Sequence, residues 1–160
     1  MPASVDRDPS CRICDQNHGD VEIPHGILYQ DDLWIVRHAA PPYGVAGWLT
    51  VQTRRHAAEP AAFNDAETRS FGPMLRHFEG SLKEITGALR IYTAAMGESF
   101  PHFHGHMVPR YPETPNGAKA FALFDLSRQA AEGTVSVDAG EVERICTEFR
   151  ARAASGIPAL

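Results

Sequence analysis

The chain has 160 residues, 43% of them apolar, enough for one core and short for two domains of ordinary size. Its formal charge is −5 with histidines neutral, and its basic residues form no stripe, which argues against a nucleic-acid-binding surface. No run approaches the ~20 apolar residues of a membrane span, and residues 1–10 lack the apolar segment of a secretion signal. Three cysteines, two of them close together, suit a reducing compartment, so a cytoplasmic protein with no membrane or nucleic-acid partner is expected.

Residues 1–10 are polar and read as a flexible arm ahead of one domain over residues 11–160. Cys11-Arg-Ile-Cys14 follows, then a turn-rich stretch over residues 15–19. Residues 26–30 and 33–38 predict a hairpin about Asp31-Asp32, because Ile27, Leu28, Tyr29, Trp34, Ile35 and Val36 favour extended backbone. A proline- and glycine-rich loop over 39–47 leads to a third strand over 48–53 and then to Arg54-Arg55-His56. From the cap Asn64, the residues Phe71, Leu75, Phe78, Leu82 and Ile85 recur at helical spacing until Gly87, with Pro73 either kinking this helix or starting it. A fourth strand over 89–96 and a fifth over 102–108 flank a short loop. A linker over 111–117, a stretch over 121–131 and a helix from Ala139 to about Ala154 complete the chain. Strands and helices segregated in this way predict an α+β domain on an antiparallel sheet.

The fifth strand carries His102, His104 and His106 at every second position. Side chains two residues apart leave the same face of a strand, so three imidazoles are expected in a row. Imidazole transfers protons near neutral pH, binds metals and attacks electrophiles. Cys11-x-x-Cys14 lacks the preceding strand and following helix of a redox pair; a zinc site would need two more nitrogen or sulfur ligands, for which His56 and one histidine of the triplet are available. Free thiols are the competing reading.

The run His102-Phe-His104-Gly-His106-Met-Val, with Pro109-Arg110 after it and Arg54-Arg55-His56 before it, resembles the histidine triad (HIT) superfamily of nucleotide hydrolases and transferases over about residues 11–110. Ser99-Phe-Pro101-His102-Phe-His104-Gly105 also resembles the active-site segment of galactose-1-phosphate uridylyltransferases, although the final triad position is glutamine there and His106 here. The resemblance implies a HIT-like fold: a five-stranded antiparallel sheet with a long helix and a C-terminal helix, a triad core over residues 25–112 and a helical tail over 118–156. It also implies a structural Zn2+ on Cys11, Cys14, His56 and His102, and a homodimer.

Carried over residue by residue, the resemblance makes His104 the nucleophile of a covalent nucleotidyl-histidine intermediate. It makes His106 the contact to phosphate oxygens and Ser99 the donor to the leaving or bridging oxygen. The substrate class implied is a dinucleoside polyphosphate, nucleotide-sugar or phosphoramidate, a nucleotide or sugar-phosphate small molecule. Gly105 is expected to keep the phosphate space open, or to allow a close strand contact.

The chain departs from the family at several places, among them a family asparagine with no clear counterpart in the short segment over residues 92–97. Glu98 replaces a glutamine beside the phosphate site, and a carboxylate about 4 Å from a phosphate charge is opposed by roughly 4 kcal/mol at an effective dielectric of 20. Glu98 is therefore expected to turn away, to pair with Arg110 or protonated His106, or to serve as a general acid. Ala40 stands where the family has an acidic residue for the ribose, and Trp48 replaces a histidine, either stacking on a base or capping the core. Two rival functions remain: a nucleotide-binding or regulatory protein with little turnover, and a metal-dependent enzyme with all three triad histidines as ligands.

Overall fold

A computed structural model describes residues 6–159. Five strands, β1 (Tyr29–Gln30), β2 (Trp34–His38), β3 (Leu49–Thr53), β4 (Arg90–Ala94) and β5 (His104–Arg110), form one antiparallel sheet in the order β1-β2-β3-β5-β4. The predicted α+β class and five-stranded antiparallel sheet are thus observed. Asp31 closes the β1–β2 hairpin, its Oδ1 accepting from the N–H groups of Leu33 and Trp34 at 2.8 and 2.7 Å.

The long helix α2 (Asp65–Thr86) begins at a reciprocal capping box between Asn64 and Glu67 and ends at Gly87, whose φ of 64° suits glycine. Pro73 lies inside it, so the proline neither starts nor ends the helix. Met74, Phe78, Leu82 and Ile85 of α2, with Val142, Ile145 and Phe149 of α5 (Ala139–Ala153), bury one face of the sheet under the main core. Trp34, Val36, Leu49, Val51 and Met107 supply the sheet's side of that core.

The opposite sheet face is polar. Register aligns Arg37 with Thr50 and Thr50 with His106 across β2, β3 and β5, while Gln52 aligns with His104. Three short helices close off its ends. Leu123 of α3 (Phe121–Phe124) and Leu126 of α4 (Leu126–Ala131) pack with Trp48 and Val108. At the other end stands α1 (Arg12–His18), whose Asn17 donates to the carbonyls of Thr53 and Arg54 at 3.0 and 3.3 Å.

Helix α1 corrects the turn expected over residues 15–19. Cys11 sits at its N-cap and Gly19 ends it in the left-handed conformation. Seven residues span about two turns, too few for an apolar period to emerge from the sequence. Of the stretch read as an arm, residues 1–5 lie outside the described residues. Within 6–10, the Asp6 carbonyl accepts from His56 N–H at 2.8 Å, and Arg7 pairs with Asp15 and Asp20 at 2.8 and 2.5 Å.

The fifth strand also starts later than expected, at His104. His102 N–H bonds back to the Phe100 carbonyl at 2.8 Å and Phe103 N–H bonds to the Ala57 carbonyl at 2.6 Å, so the chain is bent before it joins the sheet. The three histidines therefore do not form one row. His102 turns into a buried corner, and only His104 and His106 share the strand face.

Candidate functional site

Two clusters meet at this bend. In the first, the ligand atoms of Cys11, Cys14, His56 and His102 all lie within 4.8 Å of one another. Three local features hold them. Cys11 and Cys14 sit at the cap and first turn of α1, His102 precedes β5, and His56 follows β3. Arg55 fixes the segment carrying His56 by bonding the buried Glu67 carboxylate of α2 through Nη2 and Nε at 2.8 and 3.2 Å.

The hydrogen bonds in this corner assign the lone pairs. His102 Nε2 lies 2.8 Å from the Thr53 carbonyl, which only accepts, so the proton resides on Nε2 and the Nδ1 lone pair faces sulfur. That Nδ1 is 3.5 Å from both Cys11 Sγ and Cys14 Sγ, and His56 Nδ1 is 3.5 Å from Cys14 Sγ. Zinc–sulfur bonds near 2.3 Å and zinc–nitrogen bonds near 2.0–2.1 Å in a tetrahedron give S···N edges of about 3.6 Å. Three S···N separations in the cluster thus match the edges of a tetrahedral Cys2His2 centre. On the outer side of His56, Nε2 lies 3.7 Å from an Asp8 carboxylate oxygen, a second partner of the kind that orients metal-bound imidazoles. Burial raises the Cys14 thiol above its ordinary range and lowers His102 to about 4; a divalent cation would reverse the cost of the thiolate and use the neutral imidazole directly.

In the second cluster, His104 and His106 are half-buried on β5 with ring centroids 5.3 Å apart and planes at 83°. His104 Nδ1 is 2.7 Å from the His102 carbonyl and must donate to it, which leaves the lone pair on Nε2. His106 Nδ1 accepts from the Trp48 indole N–H at 3.0 Å, so a neutral His106 carries its proton on Nε2. Burial, His104 and Arg37 lower His106 to about 4, keeping it neutral near pH 7. The pair thus offers one nitrogen lone pair beside one N–H donor, and neither Nε2 has a protein partner among the described residues.

Trp48 is where the structure adds most to the reading of the sequence. Its ring is buried against Phe124 and Val108, but its N–H sets the tautomer of His106. The core-or-base alternative omitted this role. An indole placed one strand away from a triad position, on the same parity, was the signal that pointed to it.

Gly105 points the other way. A Cβ there would lie 3.4 Å from Phe103 and Val51, an ordinary contact distance on the core side, so Gly105 faces the core and does not border the phosphate space. Glu98 and Ser99 lie exposed on the loop joining β4 to β5, and among the described residues neither bonds His104 or His106. Glu98 forms no ion pair with Arg110, whose buried Nε has no partner among the described residues. Ala40 lies in the loop after β2, and no helix among the described residues is long and apolar enough to cross a membrane.

No family model matches this sequence, and no curated protein matches it. The fold does have solved counterparts. A zinc-bound histidine triad family protein from Mycobacterium smegmatis superposes with a TM-score of 0.65 at 17% identity over 91% of this chain and 94% of that one. A hypothetical histidine triad nucleotide-binding protein from Sulfolobus tokodaii gives 0.66 at 14% identity over 91% and 93%. A Hit-like protein involved in cell-cycle regulation from Bartonella henselae, solved with an unknown ligand, gives 0.64 at 13% identity over 91% and 98%. The chain therefore has the histidine triad fold, as the resemblance implied.

Proposed function

We propose that the protein is a zinc-stabilised, homodimeric histidine triad enzyme of the cytoplasm. In this reading it hydrolyses or transfers a nucleoside monophosphate through a covalent nucleotidyl-histidine. The observation that carries the reading is the complementary protonation of the strand pair. His104 Nε2 bears a lone pair while His106 Nε2 bears a proton, each dictated by the partner on the other ring nitrogen.

His104 would attack the α-phosphorus and expel the leaving group, and water or another acceptor would then break the phosphorus–nitrogen bond. The His102 carbonyl, which accepts the His104 Nδ1 proton, stabilises positive charge as that ring becomes substituted on Nε2. His106 would donate to a phosphate oxygen as charge builds in the transition state, where losing one such donor typically costs about 3 kcal/mol. Ser99 and Glu98 complete the proposed set on the adjoining loop, Ser99 as donor to the leaving oxygen and Glu98 as general acid. Faster turnover of ordinary nucleotides by Glu98→Gln would eliminate the acid role.

The fit of the Cys11, Cys14, His56 and His102 cluster supports structural zinc. All four donors would be consumed, leaving no open position, so the ion would hold α1 and the β5 bend together while His104 and His106 do the chemistry. The same geometry disfavours a catalytic metal on all three triad histidines, because the His102 lone pair faces the cysteines.

Mass spectrometry of the protein incubated with AMP-, UMP- and GMP-donating substrates tests this. The expected result is a nucleotidyl adduct in the wild type that is lost in His104→Ala. Tight nucleotide binding with no adduct under any condition would favour the binding or regulatory protein instead.

A further inference from the structure

On the polar sheet face beside the histidine pair, Arg37 of β2 aligns with Thr50 of β3, which aligns with His106 of β5. Neighbouring strands lie 4.7–4.9 Å apart, so Arg37 and His106 are separated by about 10 Å along this row. The guanidinium is half-buried and held by one hydrogen bond, from Nε to Gln52 Oε1 at 3.3 Å. Gln52 cannot flip away, because its own amide N–H donates to Asn17 Oδ1 and Asn17 is in turn tied to the Thr53 and Arg54 carbonyls.

The Nη pair of Arg37 has no partner among the described residues, and Arg37 forms no ion pair there. Arg12 of α1 is near enough to repel it and is likewise unpaired among the described residues. Burial and the neighbouring Arg12 both oppose the charged form of Arg37, and no carboxylate among the described residues offsets them. What remains is a planar fork of N–H donors, anchored at one end and open at the other, in the geometry that binds an oxyanion through two parallel bonds.

We propose that Arg37, assisted by Arg12, forms an anion subsite that holds a second phosphate or a carboxylate of the substrate, beyond the phosphoryl group bound at His104 and His106. The assignment of the first phosphoryl rests on the proposed function. The subsite selects substrates with an additional negative group and leaves the covalent step to the histidines. Arg37 is a specificity-determining residue in this scheme.

Calorimetric titration of the 160-residue chain with inorganic phosphate, pyrophosphate and phosphonoacetate tests it without needing turnover. Wild type is expected to bind pyrophosphate about tenfold more tightly than phosphate, and Arg37→Met to reduce that ratio below about threefold, the loss of one bidentate charge-assisted contact. A larger effect on pyrophosphate than on phosphonoacetate identifies the second group as a phosphate, and the reverse identifies a carboxylate. Arg37→Lys should recover part of the ratio, and Arg37→Gln replaces Arg37→Met if the latter fails to fold.

An unchanged ratio in Arg37→Met overturns the subsite, as does a wild type that does not prefer pyrophosphate. Adduct formation is read separately. Loss of the ratio with no adduct on any nucleotide donor keeps the subsite and rejects the covalent mechanism; an adduct with an unchanged ratio does the opposite.

Discussion

The corner around His102 and the strand face around His104 are separated by a single residue of chain, and they differ in what their donors leave free. In the corner, the four ligand atoms lie within 4.8 Å of one another and both nitrogens of His102 are engaged. On the strand face, each imidazole has one nitrogen tied down, and the other has no partner among the described residues. A closed donor set suits a structural ion, and an open one suits a substrate. The bend between Phe100 and Phe103 allows one short segment to supply both.

Separate perturbations should break this division cleanly. The largest effect is expected from His104→Ala, which should lower turnover by at least ~1,000-fold and abolish the adduct while leaving metal content and melting temperature unchanged. Coupled loss of zinc would mean the two clusters are one site. Cys14→Ser should do the reverse, cutting bound zinc from one equivalent per chain to a small fraction and lowering the melting temperature by about 10 °C, measured by elemental analysis and calorimetry. Full metal content in that variant would remove the Cys2His2 centre.

A smaller effect is expected at the hinge between core and chemistry. Trp48→Phe keeps the ring packing but removes the N–H that sets the His106 tautomer, so turnover should fall about tenfold with zinc content unchanged. The pH–rate profile should shift as well, since His106 Nδ1 is then free to take a proton. An unchanged rate and profile would reduce Trp48 to a packing residue.

His38 gives the smallest and most general test. It is fully buried, donates from Nδ1 to the Ala39 carbonyl at 2.8 Å and accepts from Gly47 N–H on Nε2 at 3.0 Å, pinning the loop between β2 and β3 in its neutral form. Burial lowers it to about 4, from an ordinary value near 6.5. The unfolded chain therefore binds the extra proton first as pH falls. The stabilisation is complete above pH 6.5 and is lost progressively down through pH 4, amounting to at most about 3 kcal/mol. His102 and His106, also lowered to about 4, add to the same slope, so His38→Asn should make stability measured by chemical denaturation at stepped pH fall less steeply without flattening it; a slope equal to that of the wild type would remove His38 from the account.

Much of this molecule was legible along the chain. The α2 helix was readable from the Asn64 cap to Gly87 because 22 residues give the apolar period room to repeat. The hairpin about Asp31 was readable because turn and strand residues alternate in a short span. Helix α1, the late start of β5 and the direction of Gly105 were not. They depend on contacts between residues far apart: Phe103 with Ala57, Asn17 with Thr53, and Gly105 with Val51.

The sequence by itself determined which chemical groups were present and that they belonged together. Three histidines at alternate positions, a Cys-x-x-Cys and a histidine after two arginines carried a family resemblance that the fold bears out. Only the tertiary structure decided which nitrogen of each ring is free, because that depends on its partner: Thr53 for His102, the His102 carbonyl for His104 and the Trp48 indole for His106. Arg37 shows the same division, since its type and strand could be read from the chain but its missing counter-charge could not. Periodicity is a local property of the backbone, whereas protonation and pairing belong to neighbours that folding brings together.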